Sequence, residues 1–80
     1  MAAEYFSLEV RDYHVTCIAN PTESGTWEAE VVIEKAAEQL QHTPYGVRRV
    51  IPFAFRSPRA AVSAAIDLAH RLVHQRSLSR

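Results

Sequence analysis

Eighty residues, 48% hydrophobic and 22% charged, describe one small globular domain and exclude a disordered chain or a pair of cores. The zero net charge is a cancellation. Residues 1–42 hold eight acids against Arg11 and Lys35, a formal −6, while residues 43–80 hold seven arginines against Asp67, a formal +6.

In chain order, Phe6, Leu8 and Val10 alternate with polar neighbours. Residues 5–10 therefore either add a strand of their own or lengthen the next one through a bulge near Arg11-Asp12. Residues 13–19, with Tyr13, Val15, Cys17 and Ile18, form the first sure strand. Asn20-Pro21-Thr22-Glu23-Ser24-Gly25 is dense in turn formers and predicts a hairpin loop. Trp27-Glu28-Ala29-Glu30-Val31-Val32-Ile33-Glu34 then alternates with period two. Its odd-numbered apolar residues face inward and Glu28, Glu30 and Glu34 outward, so it is a strand. A helical turn is expected over residues 35–40 and a second loop over residues 42–46.

Residues 47–56 give the next strand, with Val47, Ile51, Phe53 and Phe55 on its inner face and Arg48, Val50, Pro52, Ala54 and Arg56 outside. Pro52 lacks the N–H a ladder needs, which places this strand at an edge or gives it a bulge. Ser57-Pro58 begins a helix, serine capping the free N–H groups and proline supplying the φ of the first position. Ala61, Val62, Ala65, Ile66, Ala69, Leu72 and Val73 recur every three or four residues, so the helix spans residues 58–75 with an alanine-rich buried stripe. Ser63, Asp67, His70 and His74 fall on the opposite side, and Arg71 and Arg76 oppose the helix dipole near its end.

The expectation is an α+β fold. It is a single β-β-β-α domain over residues 1–80, a three-stranded antiparallel meander (four-stranded if residues 5–10 pair separately) with one C-terminal helix packed on one face. Trp27 to Glu34 should be central. Its glutamates should meet Arg48 and Arg56 on the exposed face of the sheet, where opposite-charge pairs help fix register.

No residue pattern predicts catalysis, and no enzyme activity or cofactor is expected. His70 and His74 share a helix face, but they lack the glutamate of a zincin motif and the four ligands of a structural site. His14 and Cys17, three apart on a strand, point to opposite faces. Gly25 and Gly46 are too few for a phosphate loop. Lone Cys17 forms no internal disulfide. Residues 1–5 show no leader, and no apolar run approaches the roughly 20 residues of a membrane span. A cytoplasmic location without a membrane partner is expected.

Two partner classes stand out. Free sheet edges and opposed acidic and basic patches favour a protein partner or a second copy of the chain, giving a homodimer. The alternative is nucleic acid, or another acidic partner, bound by Arg48, Arg49, Arg56 and Arg59. Phe53 and Phe55, by parity, should be core beneath the helix rather than stacking platforms.

Through Trp27-x-Ala-x-Val-x-Ile33, Phe55-x-Ser57-Pro58 and the alanine-rich helix, residues 13–75 resemble small bacterial β-β-β-α proteins described as domains of unknown function. Phe55-x-Ser57-x-x-Ala60-Ala61 is similar to the antitoxin-like HicB domain. The proline–glycine–cysteine turn and the acid beside the first alanine of that pattern are lacking. The element order is also similar to a double-stranded-RNA-binding domain without its first helix, with Arg59 standing where that pattern has a lysine cluster. Both likenesses are of fold and imply no activity.

Overall fold

The computed structural model of the protein describes residues 2–35 and 47–78, with side chains to Gln75. Strands β1 (Glu4–Val10), β2 (Tyr13–Pro21), β3 (Trp27–Lys35) and β4 (Val47–Phe55) form one antiparallel sheet in the order β1-β2-β3-β4. Helix α1 (Pro58–Leu78) packs on one face, chiefly over β2 and β3. The fold is α+β, with residues 4–10 as a separate strand. Beyond Lys35, which closes β3, the expected helical turn lies outside the described residues, as does the loop at residues 42–46.

The extra strand changes which elements are edges. In the three-stranded alternative residues 13–19 are an outer strand; the chain adopts the four-stranded one, and they are paired on both sides. Arg11 and Asp12 alone join β1 to β2, with Arg11 at φ 55 in the left-handed region that such a tight hairpin demands. The β2–β3 loop closes through Thr22 N–H to Thr26 O at 2.9 Å and Gly25 N–H to Thr22 O at 3.2 Å, and Gly25 takes φ 86.

Alternation decides the core. Tyr13, Val15, Cys17 and Ala19 of β2 and Trp27, Ala29, Val31 and Ile33 of β3 are buried against Ala61, Ala65, Ala69 and Val73 of α1. Burying each larger aliphatic contributes about 1.5–3 kcal/mol. The alanines let the helix sit close on two β-branched strands, a match of small against large across the layer. Ser57 Oγ accepts the N–H of Ala60 at 3.1 Å, the expected cap. The helix runs three residues past the predicted end, to Leu78.

One core assignment is corrected. Phe53 is 70% exposed. Between Trp27↔Phe55 and Ala29↔Ile51 the ladder is irregular, since four residues of β4 span two of β3. The bulge around Pro52 breaks the alternation on which Phe53's inward assignment rested. Phe55 stays half-buried opposite Trp27, and the Phe53 and Phe55 rings meet edge to face at 6.2 Å. Arg56 lies one residue beyond the end of β4, in the turn to the helix, and so outside the ladder that holds Glu30 and Arg48.

Candidate functional site

A four-stranded meander ends in two unlike edges. Both leave backbone N–H and C=O groups unpaired, and such rows template pairing with another chain. β4 is guarded. Pro52 removes a donor, the irregular ladder bends the strand, and Arg48 and Arg49 bring charge to it. β1 has neither a proline nor an irregular ladder, and its two charges, Glu4 and Glu9, flank an uncharged centre.

All seven residues of β1 pair with β2 in unbroken register, from Glu4↔Ala19 to Val10↔Tyr13, so no bulge interrupts its outer side. Residues 5–8 are uncharged and contain no proline. Tyr5 is 68% and Phe6 48% exposed, although both are large apolar residues in a strand. Register assigns them to opposite faces. Phe6, Leu8 and Val10 lie on the helix side across from Cys17, Val15 and Tyr13, while Tyr5, Ser7 and Glu9 lie on the open face. Beside the start of β1, Glu4, Tyr5 and Phe6 form an open cleft with Pro58, Arg59 and Val62 of the first helical turns.

The open face is less polar than the glutamates of β3 suggested. Its central rung runs Tyr5, Ile18, Glu30, Val50, and Ile18 is buried despite facing away from the helix. Around it, Glu30 accepts from Arg48 Nε at 2.8 Å and from Asn20 Nδ2 at 3.2 Å, and Glu9 contacts His14 Nδ1 at 2.7 Å. The expected glutamate–arginine ladder is thus realised at Glu30 and Arg48.

The four arginines singled out from the sequence are dispersed. Arg48 is on the open face, engaged by Glu30. Arg49 is exposed on the helix-side parity of β4, opposite Val31. Arg56 is in the β4–α1 turn, and Arg59 lines the cleft at the far edge, beside β1. No single surface gathers them.

His14 and Cys17 lie on opposite faces, as parity requires. Burial pushes the Cys17 thiol up to about 11 from its ordinary 9.0, which disfavours the thiolate a nucleophile needs. His70 and His74 are exposed on the outer side of α1. Among the described residues no three His, Cys, Asp or Glu side chains converge on a metal position. Nor is any described helix long and apolar enough to cross a membrane.

Comparison with family models, curated proteins and solved structures finds no match. The resemblances drawn from the sequence rest on the quoted motifs alone. Tyr5 and Phe6, the residues that best mark the candidate site, could be found in sequence only by pairing β1 with β2. That pairing turns an apolar alternation into an exposed edge.

Proposed function

We propose that the protein is a small non-enzymatic interaction module that takes up an extended strand at its β1 edge. One observation carries the reading: β1 is regularly paired, uncharged over residues 5–8 and exposes Tyr5 and Phe6, whereas the opposite edge is interrupted by Pro52 and its bulge. Strand addition draws affinity from backbone hydrogen bonds and selectivity from alternate side chains, and β1 offers both.

Two other readings have less support. Assembly through opposed charge patches is weakened because Arg48 and Glu30 satisfy each other within the chain. Nucleic-acid binding through Arg48, Arg49, Arg56 and Arg59 is weakened by their dispersal, since a phosphate backbone rewards a continuous acid-free surface.

Amide exchange tests the reading. A panel of short β-forming peptides, one with the sequence of residues 2–12 among them, is titrated against the chain. Slowed exchange confined to β1 is expected with at least one peptide. An unchanged β1 at millimolar peptide across the panel would retire the proposal.

A further inference from the structure

We infer that the strand taken up at this edge is β1 of a second copy, paired antiparallel about a two-fold axis at Ser7, so that two four-stranded sheets become one eight-stranded sheet. The inference rests on the edge reading above and adds the occupant and its register.

Self-complementarity of residues 4–10 carries it. With Ser7 opposite Ser7, Phe6 faces Leu8 of the second copy on the helix side, and Tyr5 faces its Glu9 on the open side. Glu4 faces Val10. No acid meets an acid, all seven residues of each β1 are used, and the apolar pair lies next to the axis. Neighbouring registers are worse. A shift by one exchanges the faces and sets Phe6 against Ser7 or Glu9. A shift by two sets Glu4 against Asp12 in one direction and leaves only residues 4–8 overlapping in the other.

The helix side fits the same arrangement. The cleft formed by Glu4, Phe6, Arg59 and Val62 opens beside β1, with a volume of about 560 Å³. Leu8 and Val10 of the second copy, packed on their own core but only partly buried, lie opposite Phe6 and Glu4 and border it. Because this register keeps each face continuous, both helices lie on the same side of the joined sheet. Closure also follows, because each copy spends its β1 edge on the other's β1, and the β4 edge is interrupted at Pro52 and carries Arg48 and Arg49: a two-fold dimer forms rather than a fibre or ring.

Cysteine cross-linking together with sedimentation tests the inference. Opposed residues of an antiparallel pair have Cα atoms about 4.5–5.5 Å apart, within disulfide range. Ser7→Cys should therefore form an intermolecular disulfide under mild oxidation, at least tenfold faster than Tyr5→Cys or Glu9→Cys alone. Mixed Tyr5→Cys and Glu9→Cys chains should cross-link to each other. Native Cys17 is buried, and peptide mapping separates it from the new thiols. Unmodified protein should sediment above 9.0 kDa at micromolar concentration, and Phe6→Lys should raise the dissociation constant at least tenfold. A dimer mass without preferential Ser7→Cys cross-linking would overturn the register and leave the edge reading standing. A mass of 9.0 kDa at all concentrations would overturn the second copy as occupant, and the peptide titration would still decide the edge.

Discussion

Arg48 Nε donates to Glu30 Oε2 at 2.8 Å across the β3–β4 ladder, and the two ends of that bond sit in different surroundings. Arg48 is 71% exposed at its side chain and Glu30 only 14%, with Asn20 holding the second carboxylate oxygen at 3.2 Å. Deleting the arginine leaves a largely desolvated carboxylate with a single neutral donor. Deleting the glutamate leaves an arginine in water. Arg48→Ala should therefore cost about 1–2 kcal/mol, above the median for an exposed ion pair, because a half-satisfied charge remains. Urea denaturation of both single variants and of the double variant isolates the coupling, expected at about 1 kcal/mol.

Arg11 offers a second handle, through the backbone. Its φ of 55 is one that a residue with a Cβ adopts at a cost, and glycine adopts freely. Arg11→Gly should relieve that cost, partly offset by the greater freedom of the unfolded chain, for a net gain of about 0.5 kcal/mol. An unchanged or lower midpoint in thermal unfolding would contradict it.

The helix is held at its start by Ser57 and along its length by alanines. Ser57→Ala removes the acceptor of the Ala60 N–H and should cost about 1 kcal/mol. Ala65→Leu forces a larger side chain into a fully buried position against β2 and β3 and should cost about 1–3 kcal/mol, despite leucine's good helix propensity. Ala60→Leu, at an exposed site of the same helix, should be nearly neutral in calorimetry and shows that packing, not propensity, sets the difference.

Much of this arrangement was legible in the residues, because it is written in periods. Period two gave the faces of β3, residues 13–19 read as a strand, and the Ser57-Pro58 start with its three-and-four spacing gave α1 and its alanine stripe. What stayed ambiguous depended on turns. Arg11-Asp12 is not the Asn-Gly type of signal that announces a two-residue hairpin, so β1 could be read as a bulged extension of β2. The candidate edge stayed ambiguous with it. The dispersal of Arg48, Arg49, Arg56 and Arg59 was hidden for a related reason. Their proximity in sequence spans two faces of β4, a bulge and a turn, and three-dimensional direction changes at each.

The bulge itself yields a contrast between adjacent aromatics. Phe53 is largely in solvent, while Phe55 is half-buried opposite Trp27. Phe53→Ser should change stability by less than about 1 kcal/mol, since it loses little more than the edge contact with Phe55. Phe55→Ala should cost about 2–3 kcal/mol, less than a fully buried phenylalanine. Equal effects of the two substitutions on the urea midpoint would argue for regular alternation through Pro52.

Cys17 predicts a pH dependence whose sign is fixed by burial. In the folded chain the thiol is pushed up to about 11, against an ordinary 9.0 in the unfolded chain, because the thiolate would be desolvated among Val15, Ala19 and Val31. The folded state holds this proton more tightly. Its contribution to stability is therefore complete below pH 9 and is lost as pH rises toward 11, for a total of about 3 kcal/mol. The informative quantity is a difference between chains. The stability advantage of the native protein over Cys17→Ala should narrow by about 2 kcal/mol between pH 7.5 and roughly pH 10.5. Alkylation should follow the same logic at pH 8, with Cys17 reacting only as fast as the chain opens and at the free-thiol rate in urea. Rapid labelling of the folded protein would mean that the face of β2 beneath α1 is open to water.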